Sequence, residues 1–166
     1  MATNRATLKS RILALLCCVV AGGFLVSCSS PTATTPPATG PLVHQSRDLI
    51  NQNISVAART NYDTPFTVTP TARNVKVAGS FNTFGGLPNA IQVYIMADAV
   101  YPDWLKGRQV DIAYDSGSRS TGTFDVSIAK PGLYHLLFSN YAEASVAPAQ
   151  QVTANVTLQW DDVAGS

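Results

Sequence analysis

The 166-residue sequence predicts an all-β fold, a single antiparallel β-sandwich or jelly-roll-like domain, on three observations. Several segments alternate apolar and polar residues with period two, the mark of strands with one buried face. Turn-forming Gly, Pro, Asn and Asp clusters separate them at modest intervals. Helical periodicity is almost absent, and seven or eight short strands joined in this way pack as a sandwich or jelly roll.

In chain order, Ile50, Ile54 and Val56 share one face of the first strand, and Val75, Val77, Gly79 and Phe81 do so along the next long one. Gly85, Gly86, Leu87, Pro88 and Asn89 signal a turn before a strand carrying Ile91, Val93 and Ile95. Residues 101–106 suit one helical turn, with Pro102 in its first turn and Gly107 as its stop. Tyr114, Asp115, Ser116, Gly117 and Ser118 read as a polar hairpin loop. Phe124, Val126 and Ile128 then lie opposite Thr123, Asp125 and Ser127. After a turn at Lys130, Pro131 and Gly132, residues 133–138 are nearly continuously apolar, which suits a central strand. In the last strand Val152, Ala154, Val156, Leu158 and Trp160 face one way and Thr153, Asn155, Thr157 and Gln159 the other. There is no internal repeat.

The N-terminus has a different character. Arg5, Lys9 and Arg11 precede an apolar run over residues 12–26, a secretory signal pattern. The run is 15 residues long and contains Gly22 and Gly23, short of the roughly 20 residues of a spanning helix. Its ending, Leu25, Val26, Ser27 and Cys28, resembles the lipobox of bacterial lipoproteins. The resemblance implies cleavage before Cys28 and a diacylglyceryl group on its thiol, often with a third acyl chain on the new amino terminus. Two or more chains anchor stably, since each buried methylene contributes about 0.8 kcal/mol. The implied location is the membrane surface of a bacterial envelope, and Ser29 after the cysteine implies the outer membrane in a didermic cell. The chain then divides into a signal peptide (1–27), a lipidated cysteine with a Pro/Thr-rich tether (28–42), a β-sandwich domain (43–162) and a short tail (163–166).

Without the signal, eight of the 11 Lys and Arg remain against 10 Asp and Glu, a net charge of −2. That balance offers no electrostatic footing for nucleic acid. Cys17 and Cys18 leave with the signal, so Cys28 is alone and the domain stands on packing without a disulfide.

A second resemblance covers roughly residues 90–160. Pro131, Gly132, Tyr134, Phe138, Ser139 and Asn140 are similar to the Pro-Gly-x-Tyr-x-x-x-Phe-Ser-Asn strand of GOLD-like β-sandwich domains. Gly122 precedes the alternating residues of a preceding strand, and a Thr/Val-rich closing strand follows, as in that family. The cysteine pair of eukaryotic members is absent here. The resemblance implies a jelly-roll-like fold and an association with proteins at membranes.

Tyr101, Asp103 and Trp104 are the candidate ligand-binding residues, with Asp98 as a further acceptor. Aromatic faces suit sugar rings or apolar peptide side chains, and carboxylates orient hydroxyls. The favoured role for Trp104 and Leu105 is nonetheless to plug the open end of the sandwich, since large aromatics more often fill cores than bind ligands. Asp98, Asp103, Asp111 and Asp115 lack the spacing of a calcium loop, so no metal site is assigned. His135, inside an apolar strand, is read as a packed or edge-exposed strand residue. With only His44 besides, the domain can barely assemble a zinc site. Ser116, Ser118 and Ser120 lack a Gly-x-Ser-x-Gly elbow. No catalytic motif or cofactor signature is present, and the expected function is a membrane-anchored protein-binding or adaptor module. The alternative is a carbohydrate-binding jelly roll at the cell surface, and an enzyme ranks third.

Overall fold

The computed structural model describes residues 40–85, 89–141 and 148–164; Cys28, most of the tether and residues 86–88 lie outside them. The elements run β1 (Leu42–Val56), β2 (Asn61–Val68), β3 (Arg73–Phe84), β4 (Ile91–Ala97), α1 (Tyr101–Trp104), β5 (Tyr114–Arg119), β6 (Thr121–Ser127), β7 (Gly132–Ser139) and β8 (Gln150–Val163). Two antiparallel four-stranded sheets result, a first of order β1-β8-β3-β6 and a second of order β2-β7-β4-β5. The chain changes sheet at every connection except β4 to β5, the strand order of a jelly roll. β1 and β8 pair from Leu42 with Val163 to Val56 with Gln150, which joins the two ends of the domain.

Alternation builds the core. Val77, Phe81, Val152, Ala154 and Val156 from the first sheet meet Phe66, Val93, Ile95, Leu136 and Phe138 from the second. Phe138 packs edge-on to Phe81 at 6.1 Å between ring centroids. Where the sheets' own strands come closest there is no room for a side chain. A Cβ on Gly79 would lie 2.6 Å from the Asn155 carbonyl oxygen, and one on Gly122 would lie 2.7 Å from the Phe81 ring.

The segment 131–140 owes its composition to packing. The Tyr134 hydroxyl donates to the Lys130 carbonyl at 2.9 Å, fastening the turn into β7. At its far end the buried Asn140 amide donates to the carbonyls of Val56, Ala57 and Pro148, at 3.1, 3.3 and 2.9 Å. Its backbone N–H also bonds the Thr60 carbonyl, so one residue ties down the β1–β2 turn.

Three expectations are revised. β1 begins at Leu42 rather than near Ile50, because its first half pairs with β8 while presenting mostly exposed residues. β2 was hidden by Pro65, which an edge strand tolerates since the missing N–H can face solvent. The supposed hairpin loop at residues 114–118 is strand β5. It carries a bulge against β4, where Gly117 takes φ +64° and the Ser116 hydroxyl accepts from the Val93 N–H at 2.8 Å in place of a ladder carbonyl.

Candidate functional site

β7 is central in the second sheet and buried on both faces. Tyr134, Leu136 and Phe138 point into the core; His135, Leu137 and Ser139 point away from it and are nonetheless buried. Alternation requires this outer face to carry Met96 and Tyr94 of β4 and Asp63 of β2 beside them, from the register Met96–His135, Tyr94–Leu137 and Asp63–Leu137. The segment from Asp98 through α1 lies over it. Tyr101 stacks on the His135 imidazole at 4.0 Å, and Trp104 meets Tyr94 edge-on at 5.1 Å.

His135 fastens this cover. Its Nδ1 lies 2.9 Å from Asp63 Oδ2, and its Nε2 lies 3.0 Å from Asp98 Oδ1. Ionised carboxylates only accept, so both contacts are hydrogen bonds when the ring carries a proton on each nitrogen. The imidazole thus cross-links edge strand β2 to the start of the covering segment. The Asp98 N–H bonds the Leu133 carbonyl at 2.9 Å, which adds a backbone attachment to β7. Burial holds the Tyr101 hydroxyl above its usual pKa, reinforced by the charge of Asp63 and a hydrogen bond to it. Tyr94 is raised by burial and then by the charge of Asp115.

The predicted residues come together, with altered roles. Tyr101 and Trp104 stack at 6.1 Å on α1, whose short run ends in a turn at Gly107 with φ +72°. Asp103 shares that turn, but its Oδ1 is held by Arg108 at 2.9 Å and Lys106 at 3.4 Å. Trp104 does not plug the end of the sandwich. It is half-buried on the outside of the second sheet, and its neighbour Leu105 is 57% exposed. Asp98 serves His135, and Asp115 accepts from Gln92 and the Gly117 N–H at 2.7 and 2.8 Å. Ser116 is bound into the β4–β5 bulge rather than presented as a nucleophile. Asp63 escaped sequence reasoning: it lies 72 residues from His135 on the strand that Pro65 concealed.

The outer face of the first sheet is built differently. Registered rows cross it as Asn53–Thr153–Asn82–Thr121 and Asn51–Asn155–Ser80–Thr123. Neighbouring side chains bond one another, as Thr153 does to Asn53 at 2.7 Å and Gln151 to Ser55 at 2.9 Å. The four strands present amides and hydroxyls there, and the nearby charges of Lys76 and Asp125 pair at 3.1 Å.

Comparison of the chain with known protein families and with curated proteins finds no match to either.

Proposed function

We propose that this chain is a lipid-anchored lipoprotein of a bacterial envelope whose jelly-roll domain docks a partner protein on its α1 face. The observation that supports this most is the pairing of Trp104 with Leu105. A half-buried indole and a 57% exposed leucine sit side by side on a segment locked down through His135. Rigid aromatic anchors with an apolar neighbour suit the centre of a protein interface, since little ordering entropy remains to be lost on binding. Lys106, Arg108 and Asp103 around them supply a polar rim.

The anchor rests on the sequence of residues 12–28 and on Cys28 as the acylated residue. A Pro/Thr-rich tether from a membrane raises the domain's effective concentration near other envelope components. Crosslinking in intact cells followed by mass spectrometry tests both parts. One partner in stoichiometric amounts, lost in a folded Trp104→Ala variant, is expected; unchanged recovery from that variant contradicts the docking surface. Cys28→Ser is expected to move the protein to the soluble fraction, and full membrane retention contradicts the anchor.

A second reading, a glycan-binding module, is favoured by the uncharged amide and hydroxyl rows of the first sheet. Neutral polysaccharides are recognised by such donors and acceptors. Binding of neutral cell-surface glycans, lost in Asn155→Lys and kept in Trp104→Ala, would support it over the first.

A further inference from the structure

A different part of the molecule has the make-up of a small-molecule site. At one end of the sandwich, the β2–β3 turn and the β6–β7 turn enclose a cavity of about 440 Å³. Its apolar wall includes Val68, Val75 and Ile128, each no more than 6% exposed. The same cavity is lined by Arg73, Lys76 and Lys130, and among the described residues no carboxylate lines it. An adjoining cavity of about 170 Å³ shares Val68 and Val75 with it, reaches Trp160 and has the carboxylate of Asp162 in its lining. Specific ligand pockets combine a largely apolar lining with a few convergent polar groups, in a volume of about 300–1,000 Å³.

The backbone beside this cavity departs from regular pairing. The β3–β8 register shifts between Arg73 and Lys76, and Asn74 between them takes φ +50°. Left-handed backbone is sparsely populated by residues other than glycine, Asn being among the more tolerant, and it is held only when its surroundings fix it. Here the Asn74 amide donates to Asp161 at 2.7 Å, which secures the bulge to β8. The bulge places Arg73 and Lys76 at the same mouth as Lys130. Lys76 is shared with Asp125, and Arg73 bonds the carbonyls of Pro70 and Ala72 at 3.1 and 3.3 Å. Among the described residues no carboxylate pairs with Lys130.

We propose that this end of the sandwich binds an anionic amphiphile, with its carboxylate or phosphate at Lys130 and Arg73 and its apolar body against Val68, Val75 and Ile128. The site is separate from the α1 face and does not depend on the docking function proposed for it. Charge complementarity selects the head group, because a cationic head would face Arg73 and Lys130, neither of which has a carboxylate partner among the described residues, while Lys76 is offset by Asp125. The apolar lining favours a ligand with a hydrocarbon body over a simple inorganic anion, because the body's own apolar surface is what leaves water on entering the cavity.

The test is titration calorimetry of the full chain with decanoate and decyl phosphate, and with decanol and decyltrimethylammonium as neutral and cationic matches. At least one anion is expected to bind ten-fold or more tightly than both matches, and the better anion identifies the head group. Lys130→Glu is expected to weaken that anion at least ten-fold with an unchanged melting temperature. A Lys130→Gln variant with a weaker, several-fold loss covers the case in which charge reversal impairs folding. Perturbation of the Ile128 methyl resonance in the unmodified chain places the ligand. Equal binding of all four compounds, no binding of either anion, or an undisturbed Ile128 methyl overturns the proposal.

Discussion

The two outer faces of the sandwich solve the same problem in opposite ways. The first sheet meets solvent directly, with Thr, Asn, Ser and Gln alternating against the buried Val and Ala of the same strands. The second sheet has Leu137 and Met96 on its outer face, both fully buried, and needs the α1 segment over them. A sheet face can therefore be finished by composition or by a cover. The cover brings a polar linkage, because His135 beneath it must have its nitrogens satisfied in a buried place. The open face depends on no single residue, whereas the covered face depends on one imidazole with partners on two other segments.

That contrast is most strongly broken by His135→Leu. The substitution strips two carboxylates of their common partner, and the buried-pair penalty is moderated because Asp63 and Asp98 remain 29% and 53% exposed. We expect a loss of about 3 kcal/mol in denaturant unfolding, with Trp104 emission shifted toward that of an exposed indole before global unfolding. Asp63→Asn comes next, at about 2 kcal/mol, and Asp98→Asn, on the more exposed arm, at about 1 kcal/mol. If the two asparagine variants rank in the reverse order, the more exposed arm carries more of the latch than its exposure implies.

Alkaline pH sharpens the comparison without mutation. Tyr101 and Tyr94 both have raised pKa values, from burial first and neighbouring carboxylates second. Their contribution is fully present below the ordinary tyrosine value of 10.0 and is lost as pH rises through the raised folded values. The α1 face should therefore loosen above about pH 10, seen in Trp104 emission in a Trp160→Phe background, and Tyr101→Phe should blunt the change. The acid side involves the other sheet: hydrogen bonds from Asn74 and His44 hold the Asp161 carboxyl below its usual range. Its contribution is present above the ordinary carboxylate value and disappears as pH falls through the lowered one. The smallest effects belong to the open face, where Asn53→Ala and Ser80→Ala should each change stability by less than about 0.5 kcal/mol.

The same contrast explains what could be read from the sequence. Faces that bury one side and solvate the other alternate visibly, so the strands holding Val77, Ile95 and Val156 were legible, as was the central place of β7 from its unbroken apolar run. The helical turn at Tyr101 was legible from Pro102 and Gly107. β5 was not, because the Ser116 hydroxyl substitutes there for a ladder partner and Gly117 forms a bulge, both of which look like loop chemistry. Tyr101, Asp103 and Trp104 could be picked out as a local cluster. What anchors them could not: the clamp joins Asp63, Asp98 and His135 across three segments, and only the jelly-roll order brings those together.

The proposed docking surface for a partner protein is the covered face of the second sheet rather than the open face of the first. A photo-crosslinking amino acid placed at Leu105 in one strain and at Asn155 in another tests it in intact cells. We expect a discrete protein adduct from position 105 and none from position 155. An adduct from position 155 alone, or equal adducts from both, would contradict it.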